Sequence, residues 1–164
     1  MRTAAALLVL TLAACGFELR GSANLPFSTI YVPNATSGIA LDLKRNIQSG
    51  TSTRVVDNPR DAAARLQFSE ETRSKDILSL NASGRVREYR LIYRVGFSVI
   101  DGKGGEYLPT RVITLSRDVT YDDSVALAKE TEEELLFKDM QSDMVQQIVR
   151  RLSASEPLPP AKAK

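Results

Sequence analysis

The chain has 164 residues, with 22 Lys and Arg against 20 Asp and Glu, a formal net charge of +2. That length suits one domain with its own core, and the near-balance of charge excludes a dedicated nucleic-acid binder, whose domain carries a strong basic excess. With no His, one Cys and no Trp, the sequence lacks the usual imidazole base, any intrachain disulfide or Cys-based zinc site, and an indole stacking platform.

The N-terminus begins with the basic pair Met1-Arg2, and Ala4–Ala14 then reads AAALLVLTLAA. A short charged start, an apolar run and small residues at its end form a secretory signal peptide over residues 1–14. At about 1.5 Å per residue this run is too short for a bilayer core of ~30 Å. No later stretch is apolar enough to span. The single cysteine falls at the junction, in Leu12-Ala13-Ala14-Cys15, which resembles a bacterial lipobox. The chemistry this implies is a diacylglyceryl thioether on Cys15, cleavage before it and acylation of the new amine. More than one acyl chain gives stable anchoring. Gly16 follows, where an Asp would have signalled inner-membrane retention, so the expected destination is the outer membrane.

Residues 15–26 read as a lipidated tether and 27–152 as one α+β domain. Ser28–Val32 forms a short strand stopped by Pro33-Asn34. A first helix spans about Ser37 to Ser49, with Ile39, Leu43 and Ile47 in one stripe. Val55-Val56 forms a brief strand before Asp57-Asn58-Pro59. Arg65–Leu80 alternates with Leu66, Phe68, Leu78 and Leu80 on one face. Asn81–Gly84 is a hairpin tip. Val86–Ile100 shows the cleanest period of two: Tyr89, Leu91, Tyr93, Val95, Phe97 and Val99 alternate with mostly polar residues. Arg111–Tyr121 is a further strand with Ile113, Leu115 and Val119 facing in. A second helix runs from about Ser124 to Leu152, with Phe137, Met140, Met144, Val145, Ile148, Val149 and Leu152 as core, and with Lys129–Glu133 and Glu134–Lys138 as i, i+4 pairs. Residues 153–164 form a Pro-rich tail expected to be disordered. Both helices need an apolar surface to cover. The expectation is two helices on one face of a four-stranded, mostly antiparallel sheet, a two-layer sandwich.

No catalytic constellation stands out. Glu70 and Glu71 are neighbours on a strand and point to opposite faces. Glu132, Glu133 and Glu134 read as a solvated helix face. There is no G-x-S-x-G, and Gly102-Lys103-Gly104-Gly105 lacks phosphate-loop spacing. No metal or other cofactor is expected, and the chain is expected not to be an enzyme. The charged feature of note is a set of arginines: Arg85, Arg87, Arg90 and Arg94 on or near the central hairpin, with Arg111 and Arg117 on the last strand. Arginine forks bind phosphates bidentately, although a solvated sheet face interleaved with Glu carries the same residues.

Three stretches together resemble the LptE family of lipopolysaccharide-assembly lipoproteins: Cys15-Gly16-Phe17-Glu18-Leu19-Arg20-Gly21, then Arg87-Glu88-Tyr89-Arg90-Leu91, then Ala126-Leu127-Ala128-Lys129-Glu130 through Gln146-Gln147-Ile148-Val149-Arg150-Arg151-Leu152. The resemblance implies a lipoprotein on the periplasmic side of the outer membrane that plugs the LptD β-barrel as a heterodimer, assists its assembly and binds lipopolysaccharide. It places the family's contacting Lys on Lys129. The family's contacting Arg at the hairpin tip falls on Ala82, with Arg85 the nearest substitute. Arg85, Arg87, Arg90 and Lys129 are thus the candidate lipopolysaccharide contacts, and Cys15 the acylation site. The competing readings are a lipoprotein scaffold for another barrel-assembly complex and an envelope hydrolase using carboxylates.

Overall fold

The computed structural model describes residues 24–156. Cys15, the leader, the tether before Asn24 and the tail from Pro157 lie outside the described residues.

The elements follow in the order β1 (Thr29–Tyr31), α1 (Gly38–Gly50), β2 (Arg54–Val56), β3 (Ala64–Leu80), β4 (Val86–Asp101), β5 (Glu106–Thr120) and α2 (Ala126–Ser153), with 3-10 turns at Pro59–Asp61 and Asp123–Val125. β4 organises the molecule because its sequence has one apolar and one polar side. Leu91, Tyr93, Val95, Phe97 and Val99 are fully buried, whereas Arg94 between them is exposed. α1 covers that face with Ile39, Ala40, Leu43 and Ile47, and α2 covers it with Phe137, Met140, Met144, Val145, Ile148, Val149 and Leu152. Sheet and helices share one continuous core.

The sheet has one strand more than the expected four, mostly antiparallel ones. It has five, ordered β2-β1-β3-β4-β5 and mixed in direction. β1 pairs in parallel with both β2 and β3, while β3, β4 and β5 are antiparallel. The cause is α1: a helix crossover returns the chain to the end where β1 began, so the next strand must run alongside β1 in the same direction. The three-residue β2 is a full member of that sheet.

β3 departs further from its simple alternation. Its register slips between Phe68 and Glu70 and, near the hairpin tip, between Ile77 and Ser79 and between Ser79 and Leu80. The first slip inserts a residue and reverses which parity faces the helices along the middle of the strand. Leu66 is buried, but Leu78 and Leu80, expected in the core, are 40% and 55% exposed. The positions opposite inward-facing Tyr93 and Leu91 are instead Arg73 and Lys75. β5 starts at Glu106, earlier than its apolar pattern suggested, and accommodates Pro109 because it is an edge strand with a register slip there.

The first β3 bulge leaves a mark on its neighbour. Gly96 of β4 is buried opposite it, and a Cβ there would collide with the Ser69 hydroxyl and lie 2.8 Å from Glu70 Cγ. Gly96→Ala should therefore lower stability by about 1–3 kcal/mol, as overpacked sites do, measured by urea unfolding with an unchanged slope.

Tyr93 supplies a second check. Its ring is buried and its hydroxyl donates to Glu71 Oε1 at 2.7 Å. Burial first, then that hydrogen bond, push its phenol well above the usual range. A group whose folded pKa is raised stabilises the fold below its unfolded pKa, about 10 for tyrosine, and loses that contribution as pH rises beyond it. Tyr93→Phe should flatten the alkaline loss of stability above about pH 10, read from thermal midpoints across that range.

Candidate functional site

The candidate cations gather at the far end of the β3–β4 hairpin and the start of α2. The hairpin tip is built by Asn81: its backbone N–H donates to Arg85 O at 2.8 Å, and its Oδ1 accepts from the N–H groups of Ser83 and Arg85 at 2.9 and 3.0 Å. Gly84 takes the left-handed turn position, with φ of 75°. The turn fixes where β4 begins and so places Arg85 and Arg87. On the other bank, Tyr121 N–H donates to Arg87 O at 2.8 Å, and Asp122 caps the 3-10 turn by accepting from Ser124 N–H and Oγ at 2.9 and 2.7 Å. The Ser124 N–H and hydroxyl, with the charge of Lys129, hold the Asp122 carboxyl below the usual carboxylate range.

These segments enclose a cleft of about 280 Å³ lined by Asn81, Arg85, Val86, Arg87, Tyr121, Asp122, Asp123 and Ser124. Arg85 and Arg87 are both exposed, and among the described residues neither is ion-paired. Lys129 lies one turn into α2 with its side chain 21% exposed, bonded to Glu132 Oε2 at 2.8 Å and Thr120 Oγ1 at 3.3 Å. The expected Lys129–Glu133 pair does not form because Glu133 is taken by Lys75.

Arg90 stands apart from this cleft. It lies on the helix-free face beside Arg94, and its fork grips Asp118 through Nε–Oδ1 at 2.7 Å and Nη2–Oδ2 at 2.9 Å. The pairing raises the Arg90 pKa and lowers that of Asp118. Arg94 pairs with Glu70 at 3.4 Å, and Arg117 turns toward α2 to meet Asp143 at 2.7 Å. Glu70 and Glu71 do point to opposite faces, toward Arg94 and Tyr93.

The structure thus unites Arg85 and Arg87 in one cleft, sets Lys129 at its margin, and leaves Arg90 engaged elsewhere. Asp122 and Ser124 belong to the cleft although the sequence marks them only as helix caps; the signal was their place just after the strand that pairs with Arg87. Among the described residues there is no cluster of three His, Cys, Asp or Glu placed for a metal, and no helix long and apolar enough to cross a membrane. Arg85 and Arg87 share the cleft with Asp122, which is bonded to Ser124, and Asp123; an anion there is held by the outward-facing guanidinium groups and not by the cleft as a whole.

Two helices over a mixed sheet with a long central hairpin is an architecture found among small bacterial lipoproteins. The chain is similar to the solved structure of an uncharacterized lipoprotein B from Nitrosomonas europaea, with a TM-score of 0.73 and 42% identity, covering 85% of this chain and 91% of that one. It is also similar to the rare lipoprotein B from Shewanella oneidensis, with a TM-score of 0.64 and 27% identity over 77% of this chain and 92% of that one. The lipopolysaccharide-assembly family LptE matches residues 27–152, and the chain belongs to that family. Among relatives, it is 31% identical over 150 residues to the LPS-assembly lipoprotein LptE of Yersinia enterocolitica, covering 89% of this chain and 72% of that protein.

The difference between engaged and available arginines is measurable. Titrated with inorganic phosphate at low salt, the side-chain NMR signals of Arg85 and Arg87 should shift while that of Arg90 stays fixed. The shifts should fade as added salt screens the charges.

Proposed function

We propose that the chain is a non-enzymatic lipoprotein subunit of lipopolysaccharide assembly at the outer membrane. Acyl chains on Cys15 hold it to the periplasmic side of that membrane, its domain seats in the LptD β-barrel as a heterodimer, and it touches lipopolysaccharide during export. The observation that carries this reading is the match to the LptE family across the whole domain, residues 27–152. The chemistry of the surface is compatible with it. A barrel lumen is polar, and the helix-free sheet face meets it with neutralised pairs, Arg90–Asp118 and Arg94–Glu70, that need no further counter-charge.

Lipopolysaccharide is an anionic amphiphile whose phosphates suit guanidinium forks. Arg85 and Arg87 supply those forks without first giving up an acidic partner. Lys129 adds charge at the margin of the cleft, and Arg90 joins only by releasing Asp118. The absence of His from the sequence removes the imidazole base that most hydrolytic schemes use.

The decisive experiment is a detergent pull-down from the native membrane with the companion identified by mass. LptD is the expected companion. Recovery of a different barrel would favour the scaffold reading, and recovery of none would overturn the proposal. Cys15→Ser should move the protein from the membrane to the soluble fraction. Arg85→Glu combined with Lys129→Glu should weaken binding of purified lipopolysaccharide at least tenfold at low salt, since each charged contact contributes about 1.5–3 kcal/mol. Unchanged binding would remove these residues from the contact surface.

A further inference from the structure

Among the described residues, one side of β3 has no partner beyond Arg65. β4 follows it from Ala64 to Leu80, but on the opposite side β1 reaches only Ala64 and Arg65. Beyond Arg65 no described strand continues along that side. Its backbone N–H and C=O groups there form a template for another strand. The free edge of β5 is different: it carries Pro109 and a register slip, both of which obstruct further pairing. The 17 residues of β3 include neither proline nor glycine.

The edge is not uniform. Glu70, Glu71, Arg73, Lys75 and Asp76 guard its middle with charge, whereas Leu66-Gln67-Phe68-Ser69 has none. Regular register ends at Phe68 and Ser69 is the bulged residue, so a pairing segment is confined to the stretch from Leu66 to that bulge. There a hollow of about 880 Å³ wraps the edge, with Ile39, Leu66 and Phe68 on its helix side and Tyr31, Arg65 and Gln67 on the other. Arg65 in its wall is half-buried and donates through Nη2 to Asp101 O at 3.0 Å, and among the described residues its guanidinium has no acidic partner. A carboxylate is the group that answers a guanidinium best.

We propose that Leu66–Ser69 is a docking edge where an extended, carboxylate-bearing segment of a partner protein adds a strand to the sheet. Main-chain hydrogen bonds supply the affinity in such augmentation, and alternate side chains supply the specificity. Here one set of side chains enters the apolar side beside Ile39 and Phe68. The other set meets Arg65, where a Glu or Asp is selected. An acyl chain could fill the apolar side but offers nothing to the open backbone groups, so a polypeptide is the occupant that answers both features. This inference stands whichever barrel, if any, accompanies the chain.

The test uses the mature full-length protein, isotopically labelled and in detergent, with three capped heptapeptides. The first alternates valine and threonine around a central glutamate, the second replaces that glutamate by lysine, and the third is the first with every amide N-methylated. The glutamate peptide should slow amide exchange at Leu66–Ser69 at least tenfold at saturation. The lysine peptide should bind about tenfold more weakly, the scale of one charge-assisted hydrogen bond, and the N-methylated peptide should give no protection. Arg65→Gln should erase the preference for glutamate, and Arg65→Lys should keep it, with exchange in β4 and α2 unchanged in both. The proposal is overturned by no slowing at millimolar peptide, by protection elsewhere in the chain instead, or by equal protection from the N-methylated peptide or from a lysophospholipid alone.

Discussion

Contact between the odd-numbered side chains of β4 and the apolar stripe of α2 is the constraint on which the other features rest. A strand that turns Leu91, Tyr93, Val95, Phe97 and Val99 to one side has an apolar face that water cannot be allowed to keep. Met140, Met144, Ile148 and Leu152, four residues apart on α2, make a stripe of matching length. Once these meet, α1 fills the remaining width with Ile39, Leu43 and Ile47, and β1 is drawn into the sheet beneath it through the fully buried Ile30. The opposite face of β4 is left to solvent or to another molecule.

That apolar layer thins toward the hairpin tip. Past the β3 bulge the inward positions are Arg73 and Lys75, and the helix above them offers Glu133 and Gln141. Arg73 lies 5.0 Å from the Tyr93 ring centre and Lys75 lies 4.3 Å from that of Tyr89, which stacks edge-on against Tyr121. Cation–aromatic contacts of this kind contribute about 0.5–2 kcal/mol each, with the lower end applying to exposed side chains. They hold the far half of the sandwich together without making it dry. The result is a well-packed base and a hydrated, charged end, and the cleft that carries Arg85 and Arg87 sits at the hydrated end.

Which of many arginines can serve a ligand is decided by what each already holds. Arg90, Arg94 and Arg117 have carboxylate partners. Among the described residues Arg85 and Arg87 have no ion pair and are exposed, although Asp122 and Asp123 line the same cleft. In the role proposed above, the charge-paired sheet face suits a hydrophilic lumen, and the exposed guanidinium groups suit contact with a phosphate-bearing lipid.

The periods of the sequence set out most of the elements: the alternation of β4, the four-residue spacing along α2 and the stripe of α1 are local properties of consecutive residues, and each reports its own buried face. Cys15 and its flanking small residues carry the expectation of an acylation site, which lies outside the described residues, and the arginine-rich hairpin was visible as a cluster. Three things lay beyond that reading. The parallel placement of β1 between β2 and β3 depends on where a helix crossover returns the chain, which no residue in the strands encodes. The bulge after Phe68 exchanges the faces of β3, so Arg73 and Lys75 go inward although an unbroken alternation says otherwise. The sorting of Arg85 and Arg87 from Arg90 depends on Asp118, 28 residues along the chain from Arg90. Spacing along a chain fixes what a segment can bury; only the folded neighbours fix which charges are already answered, because ion pairs and strand edges are settled between residues distant in sequence.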